Sequence, residues 1–136
     1  MSLSVLGPLL RQFHLRFLDL SFNNEIDGHI GYIGELTGLV SLSLRACHRI
    51  TGTLSDLAQL QKLETLVMIN CRGVRGSLKH LAGLGQLREV NLYYVTKVTG
   101  TLNDLASLEK LESLCLTGCD EVGGRLKVGW CARINI

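Results

Sequence analysis

A strict internal period of 24 residues constrains this chain more than any other feature of its sequence. Pairs of apolar residues separated by one position recur at this spacing without insertion or deletion. The pairs are Leu18/Leu20, Leu42/Leu44, Leu66/Met68, Val90/Leu92 and Leu114/Leu116. A glycine follows the start of each pair by ten positions, at Gly28, Gly52, Gly76, Gly100 and Gly124. Self-similarity at a fixed period of this length indicates a solenoid, in which each coil packs on its neighbours.

Two apolar spacings alternate within each unit and predict its shape. Around each apolar pair, inward residues alternate with outward ones, which is typical of a β-strand. After the glycine, leucines recur every three residues, as at Leu102, Leu105, Leu108 and Leu111. That spacing suits 3₁₀ turns or a short helix. Because one unit alone cannot bury these leucines, the sequence predicts an α/β solenoid with one parallel sheet of about five short strands and a 3₁₀, short-helical or irregular return side.

The recurring glycine is predicted to lie at the corner where the chain turns from the strand to the return side. Such a turn favours a backbone conformation that other residues adopt only at an energetic cost. Glycine at this position therefore has a structural explanation.

The period also predicts the domain organisation. Residues 1–136 suit a single domain. Residues 1–17 are interpreted as an N-terminal half-coil, since Leu6, Leu9 and Leu15 fall one period upstream of the first full unit, and residues 18–126 as five repeats. Residues 127–136 leave the register and are predicted to form an irregular or capping strand. Their apolar residues alternate with others, at Val128, Trp130, Ala132, Ile134 and Ile136.

The repeat resembles that of a known family. Residues 63–84 read LETLVMINCRGVRGSLKHLAGL. This resembles the leucine-rich-repeat family, in the form L-x-x-L-x-L-x-x-N/C-x-x-L, and the match covers about residues 6–126. The repeat length and its glycine are most similar to the plant-type subclass, although the Ile-Pro step of that subclass is missing. The resemblance implies a right-handed coil whose concave strand face binds protein or peptide.

One column of the repeat contains mainly cysteine. Its members are Asn23, Cys47, Cys71, Val95 and Cys119. The resemblance implies that this side chain caps backbone groups inside the turn. We interpret the cysteines as free buried thiols, which behave as small hydrophobes with a weak donor. The alternatives are zinc held by Cys47, Cys71 and His48, or a disulfide between neighbouring coils.

The outward strand positions are the first candidate functional site. They vary between coils while the inward columns are uniform, which is expected of a scaffold with adjustable specificity and also of any solvated sheet. Exposed aromatic and aliphatic groups in the middle coils would be natural interface anchors. The predicted partner-binding residues are Arg45, Val67, Ile69, Asn91, Tyr93 and Tyr94.

A basic set in the loops after the strands is the second candidate site. It comprises His48, Arg49, Arg72, Arg75 and Lys97. These residues could meet an acidic protein or a nucleic-acid backbone, or form a charged solvated edge. Acidic residues at both ends of the stripe and a net charge of only +2 place an acidic protein patch above nucleic acid.

The sequence predicts no enzyme, cofactor or metal site. Its four histidines occupy different columns of the repeat, and no nucleophile–base pair or phosphate-binding loop stands out. The leading prediction is a non-catalytic protein-interaction scaffold. The alternatives are a solenoid that binds nucleic acid or an acidic partner through the basic loops, and a structural segment of a larger receptor or adaptor.

Hydropathy and cysteine spacing predict the location and assembly of the chain. No window approaches the ~18 uninterrupted apolar residues of a membrane helix, and Gly7 and Pro8 interrupt the first apolar run, which makes it a poor secretory signal. Five cysteines with periodic spacing favour a reducing compartment. We therefore predict a cytoplasmic chain with no membrane contact that is monomeric or part of a longer chain.

Overall fold

A computed structural model describes residues 1–124 and 131–133. In chain order the elements are α1 (Leu3–Leu10), β1 (Phe17–Asp19), β2 (Gly28–His29), α2 (Gly31–Gly34), β3 (Ser41–Ser43), β4 (Ile50–Thr53), a 3₁₀ turn (Leu54–Leu57), β5 (Thr65–Val67), β6 (Val74–Ser77), a 3₁₀ turn (Leu78–Leu81), β7 (Glu89–Asn91), β8 (Lys97–Thr101), a 3₁₀ turn (Leu102–Leu105), β9 (Ser113–Cys115), β10 (Val122–Gly123) and β11 (Cys131–Arg133). The chain is an α/β solenoid, as the repeat predicts.

The first sheet has the strand order β1-β3-β5-β7-β9-β11. Its first five strands are parallel and pair in the 24-residue register, so that Leu42 lies between Leu18 and Leu66. This confirms the parallel sheet expected from the apolar pairs. The sixth strand, β11, pairs antiparallel with β9, and a disulfide joins Cys131 to Cys115 across the two strands. The rest of the predicted C-terminal strand, including Trp130, Ile134 and Ile136, lies outside the described residues.

A second parallel sheet, which the sequence did not predict, has the order β10-β8-β6-β4-β2. Its strands contain or adjoin the recurring glycines, whose φ angles are positive and lie between 101° and 132°. The predicted conformation of these glycines is therefore confirmed, but they belong to short strands and not to a simple corner. Pairing between coils satisfies backbone groups there, since the Ile30 N–H donates to the Thr51 carbonyl at 2.8 Å.

Hydroxyl residues begin the 3₁₀ turns of the return side. The Thr53 N–H donates to Asp56 Oδ2 at 2.8 Å, and the Thr101 N–H donates to Asp104 Oδ2 at 2.7 Å. Ser77 Oγ accepts a bond from the Lys79 N–H at 3.3 Å. These side chains occupy backbone donors that the turn itself leaves free, and so they fix where each return segment starts.

The inward columns form one continuous apolar core. Between Leu39 and Val98 the inward leucines, isoleucines, valines and one methionine are fully buried. Within the described part of the chain, no polar or charged residue is fully buried. Hydrophobic burial shared between coils is therefore the main source of stability.

Helix α1 covers the core at the N-terminal end. Leu3 and Gly7, four residues apart, are buried, and Gly7 faces Tyr32 of α2. The expectation that Leu9 continues an inward column is wrong, because its side chain is half exposed. An α-helix brings residues four apart to one face, whereas the return segments of later coils repeat every three residues.

Three buried thiols bond to the backbone of the preceding coil. Cys47 Sγ donates to the Leu20 carbonyl at 3.0 Å, Cys71 Sγ to that of Leu44 at 2.6 Å, and Cys119 Sγ to that of Leu92 at 3.0 Å. All three cysteines are buried and free. This confirms their interpretation as small apolar residues with a weak donor.

Val95 interrupts this series, and the equivalent carbonyl, that of Met68, accepts no side-chain hydrogen bond from the residues that the structure describes. We expect Val95→Cys to raise the free energy of unfolding by about 0.5–1 kcal/mol, because a thiol of similar size would bond to that carbonyl. Urea denaturation measures the change. Val98→Cys is the matched control, since Val98 is equally buried in another column. Equal effects of the two substitutions would contradict the assignment.

Burial of the thiols makes stability sensitive to alkali. Desolvation raises the pKa of Cys71 to about 12 and that of Cys119 to about 11, from an ordinary value of 9.0. The unfolded chain therefore loses these protons first as the pH rises, so the stabilisation is fully present below pH 9 and is lost as pH passes through the folded pKa values. We expect the free energy of unfolding to fall by up to ~1.4 kcal/mol per pH unit for each thiol. Cys71→Val should reduce this slope in denaturation curves measured from pH 9 to 11, and an unchanged slope would refute the explanation.

Candidate interaction surface

The outward side chains of β1, β3, β5, β7 and β9, with those of the turns that follow, form a surface that we call the strand face. Residues of equivalent position in successive coils stand side by side. Arg45, Ile69 and Tyr93 occupy one such column. Since paired strands are ~4.8 Å apart, these three side chains form a continuous row across the middle coils.

Most, but not all, of the predicted partner-binding residues are at least partly exposed. Arg45 is exposed, Ile69 and Asn91 are half-buried, and Tyr93 and Tyr94 are 40% and 48% exposed. The expectation that Val67 is exposed is wrong, because its side chain is only 4% exposed. It lies between Ser43 and Asn91 in the sheet register, and these flanking strands cover it. We call the remaining five residues the strand-face cluster.

The two tyrosines form an aromatic pair. Their ring centroids are 4.7 Å apart with an interplanar angle of 54°. The Tyr93 N–H donates to Asn91 Oδ1 at 3.1 Å, which holds the backbone of the turn. The Tyr94 ring lies against Gly118, where a Cβ atom would come within 2.9 Å of the ring. The Tyr94 ring therefore packs between Tyr93 and the backbone of the next coil.

Tyr94 belongs to a column with an unusual backbone. Phe22, Ala46, Asn70 and Tyr94 have φ angles between 55° and 61°, and Gly118 follows with 79°. Left-handed geometry is uncommon for residues other than glycine. It recurs here because the turns after β1, β3, β5, β7 and β9 follow the same path. No side-chain pattern in the sequence indicated this conformation.

Hydrogen bonds hold one carboxylate of the strand face, that of Asp19. Hydrogen bonds from Ser21 lower the pKa of Asp19, and the charge of Arg45 adds to this effect. The Ser21 N–H donates to Asp19 Oδ1 at 2.9 Å. Asp19 therefore remains ionised near the exposed guanidinium of Arg45, and a partner's carboxylate would have to compete with it for that cation.

All five residues of the basic set are exposed, and three of them contact neighbouring polar or charged groups. Arg49 pairs with Asp27 at 3.1 Å, Arg72 Nε donates to Asn70 Oδ1 at 3.3 Å, and His48 Nδ1 lies 3.1 Å from the Asn70 carbonyl. Arg75 and Lys97 are neighbours in the register of the second sheet, and neither forms an ion pair with any residue that the structure describes. Within the described part of the chain, Arg75 and Lys97 thus form a pair of adjacent cations with no carboxylate bound to either.

The zinc site considered for Cys47, Cys71 and His48 is not assembled in the structure. His48 is exposed, whereas the thiols of Cys47 and Cys71 point inward to carbonyls, so the proposed zinc ligands do not converge. Across residues 1–124 and 131–133, no group of three or more potential metal ligands is found. A groove beside α1 contains charged residues, but Arg11 and Glu35 pair there at 2.9 Å. Within the same ranges, no helix is long and apolar enough to cross a bilayer.

Comparison with known proteins agrees with this description. No protein-family model and no curated protein sequence matches the chain. Among solved structures, the chain resembles the leucine-rich-repeat ectodomain of the receptor kinase SOBIR1 from Arabidopsis thaliana, with a TM-score of 0.59 and 27% identity. The match covers 71% of this chain and 52% of that one, so the chain spans about half the length of the neighbour. The fold is therefore leucine-rich-repeat-like.

Proposed function

We propose that this chain is a non-catalytic scaffold that binds a protein or peptide on the strand face. The observation that carries the proposal is the row formed by Arg45, Ile69 and Tyr93, with the ordered Tyr93–Tyr94 pair at its end. Aromatic and arginine side chains dominate the energetics of protein interfaces. A pair that is already ordered loses less conformational entropy on binding. The leucine-rich-repeat-like fold supports an interaction role in general.

Replacing Ile69 and Tyr93 together by alanine should weaken partner binding by about 10- to 100-fold, because two central anchors are lost. The wild-type chain is first used to capture partners, and binding of each purified partner is then titrated against both proteins. Phe13→Ala is the matched control, since Phe13 is exposed on the loop after α1. Unchanged affinity of the double variant, with its melting temperature preserved, would refute a binding role for the strand face.

A second surface is suggested by Arg75 and Lys97. Their adjacency and lack of ion pairs among the described residues favour an acidic protein patch as a secondary contact. Reversing both charges should weaken such a contact and reduce its salt dependence. Nucleic acid is the competing ligand, and steep salt dependence of RNA binding, abolished by the same reversal, would favour it.

Two features of the cysteines bear on the compartment in which the chain works. The periodic cysteines favoured the cytoplasm, whereas the Cys115–Cys131 disulfide favours an oxidising compartment. The neighbour in the structural comparison is an ectodomain, which supports the second alternative. We therefore propose an oxidising location. Trapping free thiols by alkylation in intact cells, followed by peptide mapping, would show whether this pair is oxidised there.

A further inference from the structure

The C-terminal edge of the first sheet is closed by a strand that a covalent bond holds in place. β11 pairs antiparallel with β9, with Cys131 opposite Cys115 and Ala132 opposite Leu114. The bond between Cys115 and Cys131 spans 16 residues of sequence. The other edge, at β1, pairs only with β3 among the strands described. Among the described strands, a disulfide-linked strand therefore covers β9, whereas no strand covers the outer side of β1.

The disulfide joins two residues that face each other across β9 and β11 without exchanging backbone hydrogen bonds. The Leu92 N–H donates to the Cys115 carbonyl at 2.8 Å, so the polar backbone groups of Cys115 face β7. Those of Leu114 consequently face β11, opposite Ala132. In antiparallel pairs the side chains of non-hydrogen-bonded residues come closest, which suits a cross-strand disulfide.

The two sulfurs of this bond differ in access. Cys131 is exposed, whereas Cys115 is only 4% exposed. The other three cysteines are buried and bond to carbonyls inside the coils. Attack on a disulfide requires access to one sulfur and is favoured at exposed bonds. The chain therefore combines one accessible cystine with three protected thiols.

We propose that the Cys115–Cys131 disulfide is a reducible latch that controls whether β9 is covered or becomes an open edge of the strand-face sheet. A thiolate of a dithiol reductant attacks Cys131 Sγ, the S–S bond breaks, and its electron pair goes to Cys115 Sγ, which takes up a proton. The second thiolate of the reductant then displaces the Cys131 thiolate, which is also protonated. The products are two cysteine thiols and the cyclic disulfide of the reductant.

Loss of the covalent bond should release β11 because the strand is only three residues long. Isolated short strand pairs are marginally stable in water. β9 would then present unpaired backbone groups, which can accept another extended segment. The Leu114 amide faces this edge, opposite Ala132, and reports on its state.

The test uses the full chain under native conditions, oxidised and then reduced with excess dithiothreitol. In the oxidised protein, peptide mapping should find Cys115 linked to Cys131. After reduction, N-ethylmaleimide should label these two cysteines while Cys47, Cys71 and Cys119 stay protected. Amide exchange at Leu114 should accelerate by about tenfold or more, and re-oxidation should reverse this.

Cys131→Ser should behave like the reduced protein in both media, and Cys119→Val should behave like wild type because it alters a protected thiol. Free Cys131 in the oxidised protein would overturn the proposal. Identical exchange of Leu114 in oxidised and reduced wild-type protein would also overturn it, and this comparison does not depend on any variant folding.

Discussion

Gly34→Ala is expected to lower the free energy of unfolding by about 3 kcal/mol, at the upper end of overpacking effects. Gly34 ends α2 and is buried. A Cβ atom there would overlap the carbonyl oxygen of Asp56, which is backbone of the next coil. Backbone cannot move aside as a flexible side chain can, so the two coils would have to separate and lose core contacts on both sides.

Chemical denaturation of wild type and variant gives this difference directly. Gly83→Ala is the matched control, because nothing lies within 4 Å of the corresponding Cβ position. We expect this control to be neutral or stabilising by up to ~1 kcal/mol, since alanine restricts the unfolded chain. Equal stability of the two variants would show that the coils do not approach as closely as described.

The second large effect is expected for Gly76→Val. Gly76 lies in β6 with a φ of 117°, a conformation that side-chain-bearing residues rarely adopt. Valine, which is β-branched, is particularly unfavourable there. We expect a loss of about 2–3 kcal/mol, the upper range for one residue held in a strained conformation.

Gly85→Val separates conformational strain from the simple addition of an apolar side chain, because its surroundings are open and its φ is not positive. The urea midpoints of both variants should be compared with that of wild type. A Gly76→Val protein as stable as the Gly85→Val protein would contradict the role assigned to the glycine column.

The sequence predicted the first sheet because its information is local and repeated. Pairs such as Leu66/Met68 indicate which side of a strand faces inward, and five such pairs at one spacing fix the register of the strands. The second sheet escaped prediction because its strands are short and carry glycine at their centres, as in Ile50–Thr53. Glycine is depleted in strands, so propensity argued against a sheet that pairing between coils creates.

The candidate surface was predicted in part for a related reason. Alternation gave the direction of Val67 correctly, but direction does not give exposure, which depends on the flanking strands. The partner of Cys131 could not be predicted, because its pairing with Cys115 depends on where β11 returns to the sheet. The left-handed conformation of Tyr94 depends likewise on the path of the turn and not on the residue itself.

The uniform register has a consequence for how such a chain changes length. Thr65 lies between Ser41 and Glu89, and Val67 between Ser43 and Asn91, in equivalent pairings. Removing residues 65–88 would bring Ser41 beside Glu89 with the same backbone ladder and an intact leucine interior. Recombination between misaligned copies can therefore delete or duplicate whole coils without creating a faulty joint, whereas a shift of a single residue would turn every inward side chain outward.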